Sequence, residues 1–195
     1  MKLRGLYAIT PEGGELERKV RLALEGGVAL LQYRRKSKNI QEARAIIQLA
    51  RQFTVPMIIN DDVELALELG ADGAHLGRED GDLRAARARL AGRVLGASCY
   101  DDLSLARAAV QTGADYVAFG SVFASPTKPA AVRAPLSLFS DAKSLGVPLA
   151  AIGGITLQNA PQLIAAGADL LAVISDLFDA PDIRQRAGDY GKLFA

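Results

Sequence analysis

Three copies of one tripeptide constrain this chain more than any other feature: Gly70-Ala71-Asp72, Gly113-Ala114-Asp115 and Gly167-Ala168-Asp169. Each follows a stretch with helical periodicity and precedes a short apolar run, and Gly26-Gly27-Val28 holds the same place earlier in the chain. A helix that stops on glycine can use the left-handed backbone region closed to most side chains, then turn directly into a strand. The apolar runs are unbroken, as expected of strands covered on both faces. Strands are therefore expected over 3–10, 28–34, 55–59, 73–77, 93–98, 116–122, 147–152 and 170–174. Helices are expected over 15–25, from a cap at Asn39 to Phe53, from the Asn60-Asp61-Asp62 turn to Leu69, and over 82–90, 101–112, 156–166 and 181–193, with one more after Pro135. Eight strand–helix alternations joined by right-handed crossovers predict an α/β protein, a single (β/α)8 TIM-barrel domain over 1–195 near the short limit for that fold. A doubly wound open sheet is the alternative. It would ordinarily carry a glycine-rich fingerprint after the first strand, and Thr10-Pro11-Glu12-Gly13-Gly14 is not one.

Charge narrows the function classes. The net charge is +1, with 23% charged residues, which gives no field strong enough for nucleic-acid or membrane-surface binding, so any cationic patch must be local. The one cysteine, Cys99, excludes an internal disulfide framework and fits a reducing cytoplasm. Met1-Lys2-Leu3-Arg4 leads straight into a strand, so no signal peptide is expected, nor any membrane span.

In such barrels the chemistry sits at the C-terminal ends of the strands. Those ends are polar here. Gln32, Arg34 and Lys36 alternate along the end of the second strand and so leave one side together. An amide and two cations suit a diphosphate, although a solvated basic loop has the same composition. Asp61 and Asp80 follow neighbouring strands, and two carboxylates with open positions suit Mg²⁺, which takes oxygen ligands and keeps waters for a bound diphosphate. The competing reading makes Asp61 or Asp62 a helix N-cap and Asp80 a solvated loop acid. Gly153-Gly154 and Ser175 fall where these barrels hold phosphate, though a plain tight turn would look alike. Ser125-Pro126-Thr127-Lys128 lies in the longest loop and suits a lid over phosphate oxygens, or simply an exposed loop. His75 reads as an inner residue with satisfied nitrogens rather than an acid or base. Cys99, next to Ser98, points the opposite way and reads as packing.

These residues resemble the thiamine phosphate synthase family. The resemblance runs through Gln32-Tyr33-Arg34-Arg35-Lys36, Ile59-Asn60-Asp61-Asp62, His75-Leu76-Gly77 with Glu79-Asp80, Gly96-Ala97-Ser98, Phe119-Gly120 with Ser125 to Pro129, Ile152-Gly153-Gly154-Ile155, and Ile174-Ser175, in that order. It implies that Gln32, Tyr33, Arg34, Arg35, Lys36, Asn60, Ser98 and Lys128 bind an aminopyrimidine diphosphate. It implies that Asp61 and Asp80 hold one Mg²⁺. It further implies that Ser125, Pro126, Thr127, Gly154, Ile174 and Ser175 bind a thiazole phosphate. Arg34, Lys36 and Lys128 would then neutralise the departing diphosphate, in a cytoplasmic transferase that acts on small phosphorylated molecules. Exposed barrel helices often pair, so a homodimer is the expectation, although the sequence does not fix the oligomeric state. The chain departs from the family pattern at Arg78 (usually Gln), Tyr100 (often His), Ser121 (commonly Pro) and Ser125 (usually Thr). The alternatives are a thiazole tautomerase, which would not need both acids and both lysines, and a non-catalytic barrel that binds thiamine precursors.

Overall fold

The computed structural model describes residues 3–37, 39–124 and 133–195. Eight parallel strands close into a barrel in sequence order, β8 pairing back onto β1. They are β1 (Gly5–Ile9), β2 (Leu30–Tyr33), β3 (Met57–Asn60), β4 (Gly73–Leu76), β5 (Val94–Tyr100), β6 (Tyr116–Phe119), β7 (Leu149–Ile152) and β8 (Leu170–Val173). The helices outside are α1 (Leu16–Gly26), α2 (Ile40–Gln52), α3 (Val63–Leu69), α4 (Leu83–Leu90), α5 (Leu103–Gln111), α6 (Ser137–Ala142), α7 (Ala160–Ala166), α8 (Ser175–Phe178) and α9 (Ile183–Lys192). The expected barrel is the observed one, and the open sheet is excluded.

Several element ends differ: β6 stops at Phe119 instead of Val122, and α7 begins at Ala160 instead of Thr156. The fifth strand runs on to Tyr100 instead of stopping at Ser98, with a register irregularity against β6 between those two residues. The helix expected over 181–193 is preceded by α8, a single turn that its four residues are too few to announce by periodicity.

The strands divide their side chains between two cores, as the two-residue repeat requires. Tyr7, Ile9, Leu30, Ile58, Tyr116 and Leu170 fill the barrel interior. Their neighbours Ala8, Leu31, Ile59, Val117 and Leu171 face the helices, where they meet Ile46, Phe139 and Leu163. Cys99 lies in this outer layer, and burial pushes its thiol up to about 12, so it is packing, as expected.

The Gly-Ala-Asp repeat is more than a turn. Gly70 and Gly167 adopt the left-handed conformation and Gly113 a positive φ of 100°. The alanine N–H then reaches five residues back into the helix, as in Ala71 to Ala66 (2.9 Å), Ala114 to Ala109 (3.0 Å) and Ala168 to Leu163 (3.0 Å). The aspartates have a second role. Each carboxylate accepts the N–H of the first or second residue of the strand before its own: Met57 for Asp72 (2.8 Å), Leu95 for Asp115 (2.8 Å) and Leu149 for Asp169 (3.0 Å). Three neighbouring strand pairs are thus latched at the floor of the barrel. The Gly26-Gly27-Val28 turn has no such acid.

Candidate active site

The C-terminal strand ends surround a cavity of about 990 Å³. Gln32, Arg34, Asn60, Asp61, Asp80, Ser98, Gly154, Ile174 and Ser175 all line it, so most of the residues singled out in the sequence meet in one place.

One rim is built by the loops after β2, β3 and β4. Thr10 holds the Arg34 backbone on both sides: its hydroxyl donates to the Arg34 carbonyl (2.9 Å) and accepts the Arg34 N–H (2.8 Å). At the end of β3 the paired acids separate in role. Asp62 caps α3, its Oδ1 accepting the Leu65 N–H at 2.9 Å, while Asp61 takes a left-handed backbone (φ 62°) and faces the cavity. An aspartate tolerates that conformation better than most residues. Asp80 is fixed by the Gly77 N–H, which donates to its Oδ2 at 2.7 Å. A Cβ on Gly77 would stand 2.8 Å from that same oxygen, so glycine leaves the room the carboxylate occupies. Burial, with Asp80 as neighbour, raises the Asp61 pKa to about 6, while Arg34 and the Asn60 amide, which donates to Asp61 Oδ2, oppose the rise. Two acids facing each other beside one guanidinium are charge-frustrated unless a cation joins them.

Deeper in the barrel a polar chain crosses the interior. Gln32 Nε2 donates to Tyr7 Oη, the Tyr7 and Tyr116 hydroxyls share a hydrogen bond of 2.8 Å, and Tyr116 Oη meets His75 Nδ1 at 2.7 Å. The other His75 nitrogen meets Ser98 Oγ at 2.8 Å. His75 is thus the satisfied inner residue that the sequence suggested. Burial pushes its pKa down to about 4 against a weaker upward pull from Asp80, so the ring is neutral at pH 7.

The facing rim comes from β7 and β8, four positions around the closed barrel from β3 and β4. Gly153 and Gly154 both have positive φ (104° and 64°). A Cβ on either would collide with the loop after β6, at 2.2 Å from Ser121 Oγ or 2.3 Å from the Ala124 carbonyl. These glycines are therefore required by backbone conformation and packing, a reason that comes before any ligand. The Gly120–Ser121 peptide in that loop is cis. Below this rim Arg186 pairs with Asp176 (2.7 Å), which also accepts from Tyr190 Oη (2.8 Å).

Three expected ligand residues lie elsewhere. Tyr33 faces outward, and its hydroxyl donates to Glu42 (2.9 Å), because alternation along β2 sends it opposite to Gln32 and Arg34. Arg35 is spent on a clamp: its guanidinium holds both Glu42 oxygens (2.7 and 2.8 Å) and the carbonyls of Pro11 (2.7 Å) and Gly13 (3.0 Å). It ties the β1–α1 loop to α2. Lys36 is exposed and outside the cavity lining, with its backbone N–H donating to Glu12 (3.0 Å). Ser125, Pro126, Thr127 and Lys128 lie outside the described residues.

The cavity also includes residues that sequence reasoning passed over: Tyr7, Asp101 and Arg186. Strand alternation could have placed Tyr7 inside. Arg186 reaches the cavity from α9, and no spacing in the chain announces that. Arg78 and Tyr100, two departures from the family pattern, touch each other, the guanidinium carbon standing 4.9 Å from the ring centre.

A closed parallel barrel with acids, an arginine and a glycine turn converging on its C-terminal mouth defines a (β/α)8-barrel enzyme. Within that class the chain belongs to the thiamine monophosphate synthase family, whose model matches residues 6–177. It is 58% identical to the thiamine-phosphate synthase of Aromatoleum aromaticum, over 99% of this chain and 97% of that protein. The thiamine-phosphate synthase of Methylobacillus flagellatus is 52% identical over 98% of this chain and 96% of its own length. Among solved structures, the thiamine phosphate pyrophosphorylase from Pyrococcus furiosus superposes with a TM-score of 0.86 at 34% identity, covering 98% of this chain and 95% of that one.

Proposed function

We propose that the barrel is a transferase that joins an aminopyrimidine methyl diphosphate to a thiazole phosphate, yielding thiamine phosphate and free diphosphate. The observation that carries this reading is the facing pair Asp61 and Asp80 beside Arg34 on one rim of a cavity whose other rim carries Gly154 and Ser175. Two anion sites in one mouth suit two phosphorylated substrates.

The carbon–oxygen bond to diphosphate breaks with its electron pair on the leaving group. The thiazole nitrogen supplies the pair that forms the new carbon–nitrogen bond. The electron-rich aminopyrimidine stabilises the methylene cation between these events, so the protein need not supply a nucleophile. Among the described residues we find no serine–histidine or cysteine–histidine pair arranged as one, since the His75 nitrogen that does not meet Ser98 meets the buried hydroxyl of Tyr116 and no carboxylate. Arg34 neutralises charge growing on the diphosphate, and Gln32, Asn60 and Ser98 hold the pyrimidine. Gly154, Ile174 and Ser175 seat the thiazole phosphate. Lys36 and Lys128 are proposed as further cations on the diphosphate, with Ser125, Pro126 and Thr127 closing over the thiazole side.

The donor set fits a magnesium ion. Asp61 and Asp80 are hard oxygen donors, and burial first, then the neighbouring Asp80, raise the pKa of Asp61. When bound, the ion supplies Lewis-acid neutralisation of the diphosphate oxygens. The tautomerase and silent-barrel alternatives give no reason to keep such a pair. No helix among the described residues is long and apolar enough to cross a membrane, and we place this single-domain enzyme in the cytoplasm, working as a homodimer on small phosphorylated molecules.

The test is diphosphate release from the protein mixed with Mg²⁺ and both substrates. Turnover should vanish with EDTA and fall about a hundredfold in Asp61→Asn. Turnover that survives EDTA defeats the reading.

A further inference from the structure

Gln32, Tyr7, Tyr116, His75 and Ser98 come from five different strands, yet their polar atoms form one unbroken chain. β1 and β6 are not neighbours, so the 2.8 Å link between Tyr7 and Tyr116 crosses the barrel interior. Both tyrosines are almost wholly buried. Each link therefore has to be satisfied within the chain.

The hydrogens can be counted. A hydroxyl carries one, and a neutral imidazole carries one. With Gln32 Nε2 donating to Tyr7, the Tyr7 hydrogen has one acceptor left among the described residues, Tyr116 Oη. The Tyr116 hydrogen must then go to His75 Nδ1. The imidazole proton consequently sits on Nε2 and is donated to Ser98 Oγ. That leaves the Ser98 hydroxyl hydrogen for a ligand, and on Gln32 the carbonyl oxygen together with the second amide hydrogen. Turning the Gln32 amide over reverses every link, so Gln32 would offer its NH₂ and Ser98 an acceptor. Any mixed arrangement leaves two donors or two acceptors facing each other in the buried interior, which is costly. Both ends line the cavity.

We infer that Tyr7, Tyr116 and His75 are positioning residues that lock Gln32 and Ser98 into opposite hydrogen-bonding polarity, so that the cavity selects a heterocycle presenting one donor and one acceptor. This rests on the reaction proposed above, whose aminopyrimidine carries an exocyclic amine as donor and ring nitrogens as acceptors. A ring that offers only acceptors leaves an acceptor unpaired while the chain is intact: the Gln32 carbonyl oxygen in one arrangement, Ser98 Oγ in the other. Breaking the chain in the middle frees each end to turn independently.

The test compares two substrates, the aminopyrimidine diphosphate and its counterpart with methoxy in place of the amine, each with Mg²⁺ and the thiazole phosphate. The unaltered enzyme should prefer the amine by about a hundredfold in kcat/KM, since a site built to hydrogen-bond a group rejects an analogue lacking it. In Tyr7→Phe and in Tyr116→Phe, each of which removes one hydroxyl and keeps the ring, the preference should fall below about tenfold, chiefly because KM for the amine rises. The double variant should match either single one, because one break suffices. A tyrosine with a purely structural role would lower both substrates in parallel, and a preference within about twofold of the unaltered enzyme's in both single variants, or losses that multiply in the double, overturns the inference. If the unaltered enzyme does not turn over the amine at all, the proposed reaction has failed, and this inference with it. Normal turnover with unchanged preference defeats this inference alone.

Discussion

The carboxyl of Asp61 lies against that of Asp80, and with burial this neighbour lifts the Asp61 pKa to about 6. Two strands that are adjacent in the barrel bring together acids 19 positions apart in the chain. A divalent cation relieves that repulsion, so Mg²⁺ should bind and stabilise the folded protein. At a hundred times its dissociation constant the gain is about 2.7 kcal/mol. Thermal unfolding of the unaltered protein should shift upward with Mg²⁺, and that of Asp61→Asn should not.

Gly77→Ala tests the same site without touching a ligand group. Its methyl would stand 2.8 Å from Asp80 Oδ2, the atom that Gly77 itself holds by its N–H. The carboxylate must move. We expect the Mg²⁺ dependence of turnover to shift to at least tenfold higher concentration while the fold survives, as read by circular dichroism.

Arg34 and Arg35 are adjacent but should fail differently. Arg34→Ala should lower kcat/KM about a hundredfold and leave stability nearly unchanged, since its side chain lines the cavity. Arg35→Ala removes four hydrogen bonds from a nearly buried guanidinium, two to Glu42 and two to carbonyls. It should cost about 2–3 kcal/mol in urea unfolding. Equal stability losses in the two variants would contradict the assignment.

His75 gives a pH dependence whose sign can be worked out. Its folded pKa is about 4, below the ordinary 6.5, so between those values the unfolded chain binds more protons. Stability from this group is complete above pH 6.5 and falls as pH drops toward 4, by about 3 kcal/mol in all. Asp61 acts in the opposite sense without metal, because its folded pKa is raised and its unfavourable charge appears as pH rises through about 6. Subtracting the stability curve of His75→Gln from that of the unaltered protein, both in EDTA, cancels the Asp61 part. The difference should slope over pH 4–6.5 and be flat above it.

The aspartate latches predict a graded loss. Asp72→Ala, Asp115→Ala and Asp169→Ala each strip a strand N–H of its acceptor, at about 1–2 kcal/mol apiece. Losses should add when the latches are far apart, as measured by denaturant midpoints. The matching Asn variants keep an acceptor and should lose less.

The barrel was legible in the sequence because its determinants are local. Gly-Ala-Asp marks where helices stop, apolar runs mark strands with two covered faces, and eight such units have few ways to close. The same alternation placed Gln32 and Arg34 together and turned Cys99 away from Ser98. It also contained the outward direction of Tyr33, which the family resemblance overrode.

What periodicity could not supply were partners distant along the chain. Nothing in Arg34-Arg35 says that one guanidinium faces a cavity while the other closes on Glu42 and two carbonyls. Asp61 and Asp62 are chemically alike, and the left-handed backbone at Asp61 decides which one caps α3. The chain from Gln32 to Ser98 depends on Tyr7 and Tyr116 meeting across the interior, 109 residues apart. Local sequence thus determined the order of strands and helices and the faces to which their side chains alternate, because those choices depend on neighbours along the backbone. Barrel closure decided which polar groups meet, because a hydrogen bond or an ion pair is set by distance in space.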